Sequence, residues 1–125
     1  MSKIFLIAGS SIAALGVAIG AFGAHALKPM LEATNRLATF ETGVKYQFYH
    51  AFALIVLGLL MQHFDSKYFS WSGYGFLVGI LLFSGSLYTL SLTNIGKWGA
   101  VTPIGGVFFI LGWIFLIIGV LKSVN

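Results

Sequence analysis

Four long stretches of the chain are apolar and free of charged residues; they cover residues 4–25, 46–64, 68–96 and 98–121. A helix that crosses a bilayer needs about 20 mostly apolar residues. Lipid offers no partner to free backbone N–H and C=O groups, so continuous apolar runs favour helices. The pattern predicts an all-α, polytopic membrane protein. We expect one domain, residues 1–125, with four transmembrane helices at approximately 4–25, 46–64, 70–93 and 101–121.

The segment between the first two predicted spans is more polar than the spans but still patterned. Leu37, Phe40 and Val44 recur on one face of a helix, which is typical of an amphipathic segment lying in the membrane interface. Pro29 is expected to end or redirect the first helix near Leu27. We therefore predict an amphipathic interfacial helix over residues 30–45. A plain connector is the preferred interpretation, and a lid over the neighbouring membrane face is the alternative.

The composition supports a membrane location. Hydrophobic residues make up 58% of the chain, charged residues 8%, and the mean hydropathy is +0.96, whereas soluble domains carry about 25% charged residues. The net charge of +4 comes from single Lys and Arg residues at the ends of apolar runs. Such residues anchor helices at lipid headgroups, so no nucleic-acid partner is expected. The chain has no cysteine, which excludes disulfides and thiol chemistry.

The first span has features of a cleaved signal peptide. Lys3 precedes the apolar run, and Ala24, His25 and Ala26 form a small-x-small triplet. The run is longer than the roughly 7 to 15 apolar residues of a signal peptide. We therefore interpret the stretch as a retained membrane span.

Small residues recur at helical spacing in three of the spans. Such stripes let membrane helices approach closely and gain van der Waals contact. We interpret them as helix-packing positions rather than phosphate-binding loops, because no Gly-rich motif follows a predicted strand. The predicted packing residues are Gly9, Ala13, Gly16, Gly20, Gly23, Gly75, Gly79, Gly105, Gly112 and Gly119.

Polar residues concentrate at one membrane face if the four helices alternate in direction. The end of the first span, the start of the second, the end of the third and the start of the fourth then meet. This arrangement predicts a hydrated vestibule or binding pocket, with the imidazoles of two histidines at the same level. The candidate polar cluster contains His25, Glu41, Tyr46, Gln47, Tyr49, His50, Tyr88, Ser91, Asn94 and Thr102.

The residue types at this face support no particular chemistry. His25 and His50 are able in principle to hold a metal or haem, but no His-x-x-x-His motif or nearby carboxylate completes a ligand set. We therefore expect no metal site and no cofactor, and a hydrogen-bonding role for the histidines. Serines of the third span have no acidic residue near them to orient a catalytic base, so no enzyme is expected.

Sequence blocks along the whole chain resemble those of a known family. The blocks are "GAFGAHALK" (20–28), "FETGVKYQFYHAFAL" (40–54), "SGSLYTLSLT" (84–93) and "TPIGGVFFILGW" (102–113). They are similar to the small membrane-protein family called domain of unknown function 423. The resemblance implies an integral membrane protein with about four helices, and it implies no activity and no functional residues.

These observations favour a non-enzymatic protein that binds lipid or serves as an accessory subunit of a larger membrane assembly. The alternative is a small transporter or channel that works as an oligomer. Proton-coupled transport usually needs a carboxylate within the membrane, and Glu32, Glu41 and Asp65 all lie outside the predicted spans. We expect the lipid bilayer, and either further copies of the chain or a larger complex, as partners. The expected location is the inner or plasma membrane, with several passes.

Overall fold

The computed structural model describes residues 1–125 and is built of helices alone. Four of its helical segments are long and apolar enough to cross a membrane, which confirms the predicted all-α, four-span fold. The elements in chain order are α1 (Ser2–Ala24), α2 (Lys28–Ala33), α3 (Leu37–Leu60), α4 (Lys67–Gly79), a π-helical turn (Ile80–Ser84), α5 (Gly85–Thr93), a 3-10 turn (Gly96–Ala100) and α6 (Thr102–Ser123). The third span consists of α4, the π-helical turn and α5, and it runs from Lys67 to Thr93 without interruption.

The second span begins earlier than the sequence pattern predicts. A helix does lie between the first two spans, but it is limited to the six residues of α2. Residues 37–45, predicted as part of the interfacial helix, instead form the first turns of α3. The apolar face of this segment lies on α1, where Phe40 meets Gly23 and Val44 meets Gly20. The amphipathic pattern of residues 37–45 therefore reflects packing of their apolar face on α1, not a position in the membrane interface.

The four spans form two close pairs. Helix α1 packs along α3, and α4 packs along α6, while contacts of α3 with the third span join the pairs. In the most hydrophobic window of each span, 44% of the residues of α3 and of the third span are buried, against 17% for α1 and 22% for the fourth span. Helices α1 and α6 thus lie at the outside of the bundle.

The predicted glycine stripe of α1 lies on α3. A Cβ atom added to Gly9 would lie 2.7 Å from the carbonyl oxygen of Ala51, and one added to Gly16 would lie 2.9 Å from the ring of Phe48. The contact at Gly20 is looser, because a Cβ atom added there would lie 3.4 Å from the side chain of Val44. The glycines let the α1 backbone approach α3 closely, as small residues do in membrane bundles. Ala13 is half-buried on the same helix.

Glycines on both partners form the contact between the third and fourth spans. Gly75 faces Gly112, and a Cβ added to Gly75 would lie 3.0 Å from the Cα of Gly112. Gly79 is covered by the ring of Phe109, and Gly119 by the ring of Phe69. The last predicted packing residue, Gly105, lies against the backbone of Phe83, with only 2.7 Å between an added Cβ and the Phe83 Cα.

Serine hydroxyls donate hydrogen bonds between helices to the backbone of glycines. A glycine leaves its carbonyl oxygen accessible to a neighbouring helix because no side chain covers it. Each bond is 2.7 Å long, and the pairs are Ser2 with Gly58, Ser72 with Gly112 and Ser84 with Gly43. Close glycine contacts and interhelical hydroxyl bonds therefore act at the same places, a combination that stabilises helix packing in lipid.

The π-helical turn lies at mid-length of the third span. π-helical turns insert an extra residue into a helix and recur at functional sites. Here the turn contains Ser84, which bonds to α3, and Phe83, which lies against Gly105 of α6. The turn thus fixes the position of the Phe83 ring between α3 and α6.

Candidate functional site: an aromatic cleft at mid-membrane

The two histidines predicted to meet lie at different depths. His50 is thirteen residues from the start of α3 at Leu37, which corresponds to about 20 Å of helix. It therefore lies near the middle of the span, whereas His25 is exposed just beyond the end of α1. The expectation of two imidazoles at one level is wrong, because α3 begins nine residues before the predicted start of the second span.

Several other members of the predicted cluster stay at the membrane face and do not form a joint pocket. Asn94 accepts a hydrogen bond of 2.8 Å from the Nε of Arg36, which links the two connections on that face. The hydroxyls of Thr102 and Ser86 are 2.6 Å apart. Glu41 is exposed in a groove between α1 and α3. The predicted vestibule at this face is therefore not a single site.

Two members form a buried network that connects three helices. Gln47 is 4% exposed, and its Nε2 donates to the carbonyl oxygen of Ile12 on α1 at 2.8 Å. The hydroxyl of Tyr88 on α5 donates to the Oε1 of the same Gln47. Ser91, also buried, donates to the Leu87 carbonyl of its own helix at 2.7 Å. These bonds satisfy polar groups inside the bundle, which points to a structural role.

His50 is held in one tautomer by its neighbours. Its Nδ1 lies 2.8 Å from the carbonyl oxygen of Tyr46, which only accepts, so Nδ1 carries the proton. Its Nε2 then accepts the indole N–H of Trp113 at 3.1 Å. Both ring nitrogens are paired, and the side chain is neutral in this arrangement. A proton added at Nε2 would face the Trp113 donor and break that hydrogen bond.

Two of the rings around His50, those of Phe109 and Tyr46, are nearly parallel to it, whereas those of Phe76 and Trp113 are inclined at 56° and 61°. The imidazole lies 3.6 Å from the centre of the Phe109 ring, with 7° between the two planes. The Tyr46 ring makes angles of 19° with His50 and 26° with Phe109, and it lies 4.5 Å from Phe83. The planes of three aromatic side chains are thus aligned at mid-membrane.

These rings border a cavity of about 570 Å³ between α3, the π-helical turn and α6. We call it the aromatic cleft; its lining residues are Tyr46, Tyr49, His50, Phe83, Gly106, Phe109, Ile110 and Trp113. Tyr49 is 55% exposed and Trp113 42%, so the cleft opens sideways toward the lipid. Sites for small molecules typically have about 300–1,000 Å³. The aromatic cleft has the size and the apolar lining of a ligand site.

Three residues of α3 that line the cleft, Tyr46, Tyr49 and His50, belong to the polar cluster predicted from the sequence, whereas the residues of the other walls were not predicted. Phe83, Gly106, Phe109, Ile110 and Trp113 come from the π-helical turn and α6. One signal was available in the sequence: Trp113 lies in the middle of an apolar span, whereas membrane tryptophans are enriched at the interfaces. Nothing in the pattern of α6 indicates which of its aromatic residues face α3.

No group of three or more His, Asp or Glu side chains lies close enough together to hold a metal ion. The chain has a single ion pair, between Lys28 and Glu32 of α2, with 3.8 Å between the charged atoms. The cleft is therefore lined by aromatic rings and hydrogen-bonding groups, without an ion pair or a cluster of metal ligands.

The chain is similar to several known proteins along almost its whole length. Residues 19–106 match the family described as "Protein of unknown function (DUF423)". The "UPF0382 membrane protein SSP2132" of Staphylococcus saprophyticus is 45% identical over 120 residues, which cover 96% of this chain and 98% of that protein. The "UPF0382 inner membrane protein YgdD" of Escherichia coli K12 is 39% identical over 121 residues, which cover 97% of this chain and 92% of that protein. No solved structure matches the chain.

The matches agree with two predictions from the sequence. The resemblance to the domain of unknown function 423 is confirmed by the family match and by relatives that cover almost the whole chain. The prediction of a multi-pass protein of the inner or plasma membrane is confirmed by four apolar helices and by relatives named as membrane proteins. The family is one of small, uncharacterised membrane proteins.

Proposed function

The chain belongs to the DUF423 family of small membrane proteins, and from this premise we propose that it is a non-enzymatic, lipid-interacting protein. In this proposal the aromatic cleft holds one hydrophobic molecule taken up sideways from the bilayer. The protein acts as an accessory subunit, either with further copies of itself or within a larger membrane assembly. Its partners are lipid and membrane protein, and nucleic acid is not among them.

The observation that carries this proposal is the lateral opening of the aromatic cleft. The cavity of about 570 Å³ lies at mid-span and is bordered by exposed aromatic rings rather than by packed helix backbone. At Gly9 and Gly16 of α1, and at Gly75 and Gly79 of the third span, glycines instead bring neighbouring helices into direct contact. A cavity open to the hydrocarbon region is accessible to a bilayer component without any movement of a helix.

Photolabelling in nanodiscs tests the proposal. The probe is a phospholipid with a diazirine at the middle of one acyl chain, and labelled peptides are identified by mass spectrometry. We expect the labels to concentrate on Tyr46–His50 and Phe109–Trp113, beyond the labelling of the lipid-facing side of α1. Uniform labelling of all exposed helix faces would contradict a specific site.

Glycine substitutions provide a matched pair of variants for this experiment. Gly106 lines the cleft, and a Cβ added there meets only the Phe83 ring, at 4.0 Å, so Gly106→Leu fills the cleft without forcing helices apart. A Cβ added to Gly85 meets nothing within 4 Å, and Gly85 lies outside the cleft. We expect Gly106→Leu to remove the concentrated labelling and Gly85→Leu to keep it.

Two further measurements separate this proposal from its alternative. Cross-linking in native membranes, followed by mass spectrometry, identifies the assembly that the protein joins. Solute flux into proteoliposomes tests the alternative of a small transporter or channel. A flux that needs the protein but is unaffected by Gly106→Leu would favour transport over lipid binding.

A further inference from the structure

A groove between α1 and α3 lies at the membrane face where α1 ends and α3 begins. It measures about 360 Å³, and the exposed side chains of Glu41 and Lys45 line it. We propose that this groove binds an aminophospholipid, meaning a phospholipid whose headgroup carries a primary ammonium group beside the phosphate. The aromatic cleft lies elsewhere, between α3, the π-helical turn and α6, so this inference goes beyond the proposed function and does not rest on it.

The two charged side chains of the groove have no charged partner within the chain. The segment from Lys28 to Lys45 contains five charged side chains. Lys28 and Glu32 form the ion pair of α2, and Arg36 donates a hydrogen bond to the connection after α5. Glu41 and Lys45 form no ion pair with each other or with any other group, although charges four residues apart on a helix are neighbours. Two opposite charges on one groove therefore remain available to a ligand that carries both signs.

The depths of the two charges match the order of groups in such a headgroup. Helix α3 begins on this face at Leu37, so Glu41 lies about 6 Å and Lys45 about 12 Å along the helix from its start. A helical lysine side chain points back toward the N-terminus of its helix, which here is toward the membrane surface. In an aminophospholipid the ammonium group is outermost, the phosphate follows, and the acyl chains lie deepest. Glu41 is therefore placed to bind the ammonium group, and Lys45 to bind the phosphate from below.

The floor of the groove suits the hydrocarbon part of a lipid. Gly20 and Gly23 of α1 contribute no side chain, and Phe40 and Val44 of α3 complete an apolar surface. Covering apolar surface with hydrocarbon is favourable, whereas a small soluble ion leaves it exposed. Free phosphoethanolamine carries the same two charges but has no acyl chain to cover this floor. The groove therefore favours the lipid over its soluble headgroup.

The carboxylate of Glu41 distinguishes an aminophospholipid from other phospholipids. A primary ammonium group donates charge-assisted hydrogen bonds to a carboxylate, and the quaternary ammonium group of phosphatidylcholine has no N–H to donate. Phosphatidylglycerol is an anion without a cationic group, so Glu41 repels it. Glu41 also lines a neighbouring cavity together with Glu32 and Asn35, so the surroundings of its carboxylate are acidic and favour a cation.

Native mass spectrometry with defined lipids tests this assignment. The protein is placed in nanodiscs with equal amounts of dioleoyl phosphatidylethanolamine, phosphatidylcholine and phosphatidylglycerol, and the lipids that stay bound after release are counted. We expect one phosphatidylethanolamine per chain, retained about fivefold more often than either other lipid. Millimolar free phosphoethanolamine should not displace it. The Gly106→Leu variant, in which the cleft is filled, should show the same preference, because Gly106 does not line this groove.

Charge variants separate this recognition from general attraction to headgroups, and they keep the fold because the altered side chains are exposed. Glu41→Gln should remove the preference for phosphatidylethanolamine over phosphatidylglycerol. Lys45→Gln should weaken retention of phosphatidylethanolamine about fivefold. Exchange of the two charges, by Glu41→Lys with Lys45→Glu, keeps the net charge but reverses their order in depth, and it should abolish the preference. Lys97→Gln removes a charge on the same face outside the groove and should change nothing.

Several outcomes would overturn the assignment. Equal retention of the three lipids, or a preference that survives the charge exchange, contradicts recognition of both headgroup charges. Preferential retention of phosphatidylglycerol would identify a basic anchor, and retention of a second copy of the chain in place of lipid would identify a dimer contact. Displacement by free phosphoethanolamine would identify a headgroup site filled from solution. If the acyl-chain probe labels the aromatic cleft while no phosphatidylethanolamine is retained, only this inference fails and the proposed function stands.

Discussion

Aromatic rings occupy two different environments in this bundle. In the seams between paired helices, phenylalanine rings lie directly on glycines, as in the pairs Phe48 with Gly16 and Phe76 with Gly112. In the aromatic cleft, the exposed rings of Tyr49 and Trp113 border open space. Phe109 belongs to both regions, because it covers Gly79 on one helix and stacks on His50 on another.

Under the proposed function, this difference separates the regions that stabilise the bundle from the region that binds a ligand. Without a hydrophobic drive between helices in lipid, close van der Waals contact has to hold the spans together, and glycine under an aromatic ring provides it. The cleft lacks such closure and keeps polar groups at mid-membrane, where they are costly and usually functional. Substitutions in the seams should therefore change stability, as should loss of the buried His50, which stacks on Phe109. Substitutions that only fill the open space of the cleft, such as Gly106→Leu, should mainly change occupancy.

The largest expected effect comes from two adjacent glycines at the boundary of the regions. Gly105→Ala places a Cβ within 2.7 Å of the Phe83 Cα, where backbone blocks relaxation, and we expect a loss of about 3 kcal/mol. Gly106→Ala meets only a ring atom at 4.0 Å, so no loss is expected. Unfolding in mixed detergent micelles, followed by circular dichroism, measures both. Equal losses would show that the seam and the cleft do not differ.

The next effect separates the two histidines. His50→Ala leaves the indole N–H of Trp113 without its acceptor and removes the stacked partner of Phe109, which should cost about 2 kcal/mol. His25 is exposed, and its replacement by alanine should change stability by less than about 0.5 kcal/mol. The same micelle titration compares them. A His25 variant as unstable as the His50 variant would argue against the depth difference.

A smaller effect is expected in the buried network of the α1, α3 and α5 contact. Gln47→Leu leaves the Ile12 carbonyl and the Tyr88 hydroxyl without their partner, at a cost of about 1–2 kcal/mol. Tyr88→Phe removes the other side of the same bond. The double variant should lose less stability than the sum of the singles, because the two side chains interact. Strict additivity in the double-mutant cycle would contradict the bond.

The smallest effect should occur at the loosest glycine of the α1 stripe. A Cβ added to Gly20 reaches Val44 only at 3.4 Å, whereas one added to Gly9 approaches the Ala51 carbonyl at 2.7 Å. Gly20→Ala should be neutral within about 0.5 kcal/mol, since ordinary contact and better helix propensity offset each other. Gly9→Ala should be clearly destabilising in the same assay. A destabilised Gly20 variant would mean that α1 packs more tightly than these distances indicate.

Much of the fold was predictable from the sequence, because membrane helices are defined by length and hydropathy. The four spans and the recurrence of glycines at helical spacing were read from the chain. The start of the second span at Leu37 was not predicted from the sequence. The apolar face of Leu37, Phe40 and Val44 suggested an interfacial segment, yet Phe40 and Val44 lie on α1 glycines. An amphipathic pattern identifies an apolar face without identifying the surface that covers it.

The candidate site was predictable only in part. Tyr46, Tyr49 and His50 were selected as polar residues near a membrane face, and the structure assigns them to the cleft at greater depth. Their partners on α6 could not be found, since all of its aromatic residues occur in one apolar run. The pairing of His50 with Trp113 joins residues 63 positions apart. No local pattern encodes such a contact.

The amino-acid sequence alone is enough to define a bundle of four membrane helices with glycine-rich packing faces. That information is local, because hydrophobic length and residue spacing act within each helix. The three-dimensional packing of the helices sets which face meets which neighbour, how deep His50 lies and where the bundle remains open. Those properties depend on the rotation and displacement of each helix relative to the others, which are set by side-chain packing across the whole bundle.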